Sequence, residues 1–188
     1  MQESRSNLTR FGNALALALV LGAVGACAFV YVRWLVREWR YTRMIEQIAP
    51  RYDLDKALVK AVMRQESGFD PFARSKAGAI GLMQVMPGSG RLVGISENQL
   101  WNEPVNIEAG CSLLADALAF WRRQPVDDPV PFALAEYNAG RGLVLRWAPK
   151  NQRLTAQQFL AHLPNRGVRG YIERVLEYAD DYKASENL

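Results

Sequence analysis

The 188-residue chain has only two cysteines, one histidine and little of the polar–apolar alternation that marks β-strands. Cys27 and Cys111 cannot build a disulfide framework. Cys27 lies inside an apolar segment. Cys111 falls one turn after Ile107 in a helical pattern, which makes it a small buried hydrophobe. A lone His162, with no Cys/His cluster, excludes a histidine-rich metal site. Its place near a loop marks it as a surface residue rather than the base of a Ser-His-Asp triad. No metal, nucleotide or other cofactor is indicated, and no internal repeat or low-complexity tract is visible.

Most of the chain also lacks an excess of charge. Residues 44–188 carry seventeen Lys/Arg and seventeen Asp/Glu, so the formal net charge of +4 comes from residues 1–43. Six arginines there (5, 10, 33, 37, 40 and 43) face only Glu3 and Glu38. Basic charge gathered beside an apolar segment suits lipid headgroups, and no nucleic-acid surface is implied.

Uncharged, apolar runs long enough to cross a bilayer are absent except for one. Ala14 to Val32 (ALALALVLGAVGACAFVYV) is nineteen residues without a charge, close to the ~20 needed to span a bilayer. Trp34, Trp39 and Tyr41 follow among arginines, as at a membrane interface. Ala26-Cys27-Ala28 also resembles a signal-peptidase site, and Val24-Gly25-Ala26-Cys27 loosely matches a lipoprotein box. The apolar run continues past Cys27, which favours an uncleaved anchor over either alternative. Counting arginines, two before the span and four after it, would leave the main domain in the cytoplasm.

What the remainder has in plenty is helical signal. Residues 37–49 read as a helix ending at Pro50. Asp55 caps a helix to about Ser67, stopped by Gly68. Residues 69–105 are loop-rich, and Asn106 is placed to cap a long helix through Arg123. Pro131 to Ala139 (PFALAEYNA) reads as a buried helix stopped by Gly140. Shorter helices follow at 143–147 and 156–163. The last, 171–182, carries Tyr171, Val175, Tyr178 and Tyr182 on one stripe. The expected fold is all-α, α+β at most: a helical domain over 51–188 with a glycine-rich loop or short-strand insertion. It follows an anchor or signal segment over 1–36 and a juxtamembrane helix over 37–50.

One carboxylate is oddly placed. At about 100° per residue Glu66 lies only about 40° around its helix from Val62, while Lys60 and Arg64 point about 160° away on a wet face. Glu66 therefore projects inward at the final turn, where unpaired carbonyls carry partial negative charge. Desolvation and this dipole both raise a carboxyl pKa. A rise to about 6 would cost roughly 2 kcal/mol at neutral pH and would leave an acid able to protonate a leaving oxygen. A hydrogen-bonded buried glutamate, or a frayed helix end turned into water, fits the wheel as well.

Two further stretches bear on this choice. Gly78-Ala79-Ile80-Gly81-Leu82-Met83-Gln84-Val85-Met86-Pro87 sets glycines, which permit tight turns, before an amide that can bond a sugar. Ala135-Glu136-Tyr137-Asn138-Ala139-Gly140 puts an aromatic ring and an amide at the end of an apolar helix. With Glu66-Ser67-Gly68, Ser75, Asn102 to Leu114 and Arg169 to Leu176, they follow an order and spacing that resembles the lytic transglycosylases of the soluble type. The fold of that family is like goose-type lysozyme. The resemblance covers about Leu54 to Leu176.

It implies a lysozyme-like domain that cleaves the MurNAc-β-1,4-GlcNAc bond of peptidoglycan to leave 1,6-anhydro-MurNAc ends. By position, Glu66 is then the single catalytic acid and base. Ser75, Gln84, Met86 and Tyr137 match cleft residues, with Asn138 beside them. Neither Asp70 nor Glu136 matches a second catalytic carboxyl. A hydrolase of the same bond and an inactive wall-binding module are the alternatives. The substrate implies a cell-envelope location, with the domain in the periplasm and residues 14–32 in the inner membrane, against the arginine count. The sequence departs from the family at Gly167, where an acidic residue is common, and at Asn165, where an aromatic often follows the nearby proline. Contacts to the substrate's peptide stem are in question there.

Overall fold

A computed structural model describes the backbone of residues 2–148 and 153–186, and the side chains of 19–148 and 153–185. Residues 14–18 of the expected span, with Arg5 and Arg10, lie outside the described side chains. The chain divides into two compact units, residues 1–40 and 41–188.

Helix α1 runs from Gln2 to Ile48. Within the first unit its described apolar side chains, Leu19, Leu21, Val24, Phe29 and Val30 among them, are exposed. It is the one helix among the described residues long and apolar enough to cross a membrane, a property that a signal sequence shares. The backbone groups between its ends can pair within the helix, as a lipid environment requires. The tail of α1 belongs to the second unit, where Tyr41, Ile45 and Ile48 are buried, so the expected juxtamembrane stretch supplies core. Pro50 then sits in a 3-10 turn, Ala49–Tyr52.

The second unit is helical, as expected: α2 Lys56–Ser67, α3 Pro87–Leu92, α4 Glu103–Trp121, α5 Val130–Ala139, α6 Arg141–Trp147, α7 Ala156–His162 and α8 Arg166–Glu186. Among the described residues the only β-type pairings are isolated bridges: Arg74–Ile80 and Ile80–Val85 in the glycine-rich insertion, and Val126–Leu154. Helix α5 is the hub and touches α4, α6, α7 and α8. Phe132, Ala133, Leu134 and Ala135 are fully buried, as a helix apolar on every side requires. Trp121, Phe132 and Phe159 stack from α4 through α5 to α7, with centroids 5.1 and 4.1 Å apart. Cys111 is buried in α4, as its place in the pattern predicted.

Several boundaries differ from expectation. Asn106 is not a cap: α4 starts at Glu103, and the Asn102 side chain accepts from the Val105 N–H at 3.3 Å. Both asparagines have the short acceptor that caps helices, and Pro104 at the first turn selects Asn102. Residues 69–105 contain α3 and a 3-10 turn at Asn98–Trp101 rather than loop alone. Helix α8 begins five residues before Tyr171, because Asn165 caps it by accepting from Gly167 N–H at 2.9 Å and Val168 N–H at 3.2 Å. Lys60 and Arg64 do not face open water: α8 crosses that side of α2, with Tyr182 4.1 Å below Lys60 and Tyr178 3.8 Å below Arg64.

Candidate active site

Glu66 sits in the last turn of α2. That helix begins where Asp55 accepts from Ala57 N–H at 2.8 Å and ends where Gly68 turns left-handed (φ 58°), its N–H bonded to the Arg64 carbonyl at 3.0 Å. Phe69 follows at φ 65°, strained for a bulky side chain, and its complete burial holds it there. The next residue of the motif ties the helix end to the glycine-rich insertion: Ser67 Oγ donates to the Leu82 carbonyl at 2.8 Å.

Each of the other motifs reaches the same loop. Asn106, 1% exposed, accepts from Met83 N–H at 2.8 Å and donates to the Ile80 and Leu100 carbonyls, both at 2.9 Å. Three partners satisfy a buried amide that would otherwise be costly. The amide leaves no room at its neighbour. A Cβ on Gly81 (φ 74°) would lie 2.6 Å from Asn106 Nδ2, so glycine is required there. Gly110 is a second notch, because a Cβ there would meet Met83 Cβ at 2.5 Å. From α5, the Tyr137 hydroxyl donates to the Met83 carbonyl at 2.7 Å. Side chains from α2, α4 and α5 thus clamp residues 80–83 from three directions.

Gln84 comes next, with a left-handed backbone (φ 47°). Its amide nitrogen donates to the Ala73 carbonyl at 3.1 Å and the Gly81 carbonyl at 2.9 Å. Both amide donors are therefore spent on the loop, which leaves the carbonyl oxygen as the group able to meet a ligand. Ser75, an exposed residue, closes the preceding turn, its Oγ accepting from Ala79 N–H at 3.0 Å. Met86 stands at the amino end of α3, 40% exposed.

Around Glu66 the surroundings are apolar and neutral. The Tyr171 hydroxyl donates to Glu66 Oε1 at 2.8 Å. Glu66 forms no ion pair among the described residues, and the nearby Arg174 instead donates to Gln65 at 3.0 Å. Burial pushes the Glu66 carboxyl up to about 7, and the Tyr171 hydrogen bond offsets only part of that rise. Burial first, then the Glu66 charge, drives the Tyr137 and Tyr171 phenols well above their ordinary value, so both remain neutral donors. Tyr171 was expected only as part of an apolar stripe. Its partner lies 105 residues away in sequence, and no local spacing could have paired them.

Gln84, Met86 and Tyr137 also line a groove of 300 Å³, together with Ser89, Asp116, Glu136 and Arg141. The Tyr137 phenol also lies near enough to Glu66 for that carboxylate's charge to raise it. Glu66, Ser75 and Asn138 are outside the lining, and Asn138 is exposed at the end of α5. Asp70 caps its own turn, accepting from Phe72 N–H at 3.3 Å. Glu136 accepts from Trp121 Nε1 at 2.9 Å and Arg141 Nε at 2.8 Å.

Comparison with known proteins points one way. The family model described as the transglycosylase SLT domain matches residues 43–160. The chain is 31% identical over 163 residues to the soluble lytic murein transglycosylase of Salmonella typhimurium, covering 80% of the chain and 24% of that protein. It is 32% identical over 176 residues to the membrane-bound lytic murein transglycosylase C of Histophilus somni, covering 81% of the chain and 48% of the relative. Among solved structures, the 70 kDa soluble lytic transglycosylase of Escherichia coli superposes with a TM-score of 0.68 at 30% identity, over 78% of this chain and 24% of that one. The chain thus spans between a quarter and a half of the length of these relatives.

Proposed function

The chain belongs to the transglycosylase SLT domain family, and on that premise we propose that it is a peptidoglycan lytic transglycosylase in which Glu66 is the only catalytic acid and base. The observation that carries the reading is the setting of that carboxyl: half-buried, hydrogen-bonded to a neutral phenol, without an ion pair among the described residues, and pushed up to about 7 by desolvation. Such a group carries its proton in about half of the molecules at neutral pH and exchanges it within a range that a catalytic cycle can use.

Glu66 protonates the oxygen between MurNAc and GlcNAc as that bond breaks. The resulting carboxylate then takes the proton of the MurNAc 6-hydroxyl, whose oxygen closes on C1 of the same sugar. The products are a GlcNAc end and a 1,6-anhydro-MurNAc end, and Glu66 is protonated again. A nucleophile within the substrate benefits from high effective molarity and needs no carboxylate to activate water. Retaining and inverting glycosidases normally use a second carboxyl. The nearby candidates are otherwise engaged, Asp70 in its turn and Glu136 with Trp121 and Arg141. Gln84, Met86 and Tyr137, which line the groove, are assigned as substrate contacts, and so are Ser75 and Asn138, which lie outside its lining.

Peptidoglycan lies outside the cytoplasmic membrane. The domain is therefore placed in the periplasm, held to the inner membrane by the apolar part of α1. The exposed apolar surface of that helix supports an anchor. A carboxyl-terminal reporter fusion tests the orientation, and activity on the cytoplasmic side only would contradict it. Mass spectrometry of digested sacculi tests the chemistry. Anhydro-MurNAc products are expected, and reducing-end MurNAc in their place would make the protein a hydrolase.

A further inference from the structure

The amino-terminal half of α8 carries a cation that is held in place while its terminal nitrogens stay unspent. Arg174 is exposed, and its Nε donates to Gln65 Oε1 at 3.0 Å. The guanidinium leans back toward the start of the helix, as long helical side chains do, and a Cβ on Gly170 would lie 3.1 Å from its Nη1. Glycine at 170 leaves the guanidinium its place, and Gln65 fixes it there. Among the described residues, that bond to a neutral amide is the only one Arg174 makes. It forms no ion pair among them, although Glu173 and Glu177 share its helix. Neighbouring arginines are differently engaged, Arg64 on the Tyr178 ring and Arg169 on the Ala161 and Leu163 carbonyls. Two adjacent Nη groups of Arg174 can therefore take a carboxylate side by side.

This cation stands beside the Glu66–Tyr171 pair. Gln65 precedes Glu66 on α2, and Arg174 lies about 60° around α8 from Tyr171, whose hydroxyl holds Glu66. Gly167 and Gly170 lie within about 40° of Arg174, so the helix puts no side chain on the approach along that face. Neighbouring side chains on a helix diverge by about 100°, which sets the guanidinium on the order of 10 Å from the Glu66 carboxyl. At that range it leaves the acid's proton alone: desolvation and Tyr171 govern that carboxyl. We propose that Arg174 binds the lactyl carboxylate of a MurNAc residue that has lost its stem peptide, and so makes the enzyme prefer stem-free glycan. The inference rests on the reading of the chain as a peptidoglycan transglycosylase. The lactyl group hangs through O3 from the ring whose C1 reacts at Glu66, so its carboxyl is only a few bonds from the reacting centre. Carboxylates of a stem peptide lie at least one residue farther out, at about 3.5 Å per residue. With a stem attached, the lactyl carboxyl is an amide and offers the guanidinium no charge. The reaction that supplies the preferred substrate is then hydrolysis of that amide.

The test measures binding without turnover. Full-length Glu66→Gln protein in detergent is titrated with a stem-free MurNAc–GlcNAc oligosaccharide, with the same compound after its lactyl carboxyls are made primary amides, and with a stem-bearing one. The free carboxylate is expected to bind roughly three- to tenfold more tightly than the amide, the scale of an exposed charge-assisted hydrogen bond. Adding Arg174→Gln should bring those two Kd values together, and Arg174→Lys should restore part of the difference. Affinity for the stem-bearing compound should not respond to Arg174→Gln. The position is exposed, so an unchanged Tm is expected for both Arg174 variants. Equal affinities in the parent, or a difference that survives Arg174→Gln, would overturn the inference. So would a loss in Arg174→Gln confined to the stem-bearing compound, because the bound anion would then belong to the stem. Equal but measurable binding leaves the transglycosylase reading standing, whereas no binding of any of the three compounds would overturn that reading and the inference together.

Discussion

Two glutamates, Glu66 and Glu136, occupy the last turns of α2 and α5, yet their partners differ. At the end of α5, Glu136 accepts from a guanidinium at 2.7 Å and from an indole N–H at 2.9 Å. At the end of α2, Glu66 meets one phenol and apolar burial, which favour the protonated acid. Both positions put a carboxyl against a helix's negative end. The cation decides the outcome: Arg141 follows Glu136 by five residues across the Gly140 turn, whereas Arg64 beside Glu66 stacks on Tyr178. A buried carboxylate with its cation is structural. One without a cation is poised to exchange a proton.

The comparison breaks first on activity. Glu66→Gln is expected to lower the release of anhydro-muropeptides by about a thousandfold or more, the scale of losing a general acid, with circular dichroism unchanged. Mass spectrometry of sacculus digests reads this directly.

Stability should respond with opposite signs at the two sites. A carboxyl that titrates at about 7 when folded and at about 4.5 when unfolded keeps its proton to higher pH in the native state. Its contribution is fully favourable below pH ~4.5, declines as pH rises toward 7, and stays low above it. Glu66→Gln should therefore stabilise the protein at pH 8 by up to about 3 kcal/mol, with the gain vanishing near pH 4. Paired urea titrations at the two pH values measure it. Glu136→Gln should destabilise by about 1–3 kcal/mol at neutral pH, since it leaves Arg141 and Trp121 with a weaker acceptor in a site that is mostly buried. If both variants shift stability in the same direction at pH 8, the contrast between the two sites is wrong.

The smallest effect is expected at Tyr171. Tyr171→Phe removes the hydrogen bond that holds the Glu66 pKa down, so the carboxyl midpoint should move above about 7. Turnover should fall by up to about tenfold, with the pH–rate profile displaced upward. A loss of turnover without that displacement would mean that Tyr171 acts on packing alone.

How far these features could be read from the sequence depends on how far apart the interacting groups lie. The α2 boundaries, Asp55 and Gly68, were legible because caps act within a turn. So was the burial of α5, written in consecutive apolar residues, and the inward face of Glu66, fixed by its spacing from Val62. Asn106 was misread as a cap because an asparagine near a helix start has the same local signature whether it bonds its own helix or a distant loop. Gly81 stood out and Gly110 did not, and the cause of neither was legible: one clears Asn106 and the other clears Met83, both brought near only by folding. The partners of Glu66 and of the Arg64 side chain come from α8, more than a hundred residues on.

All of this converges on the protonation state of one side chain. The most direct measurement is a carbon-13 NMR titration of the Glu66 carboxyl in the folded protein, assigned by its loss in Glu66→Gln. A midpoint close to 7 is expected. A midpoint near 4.5, the ordinary value, would mean that Glu66 is a solvated carboxylate at neutral pH, and its role as the stored proton donor would be contradicted.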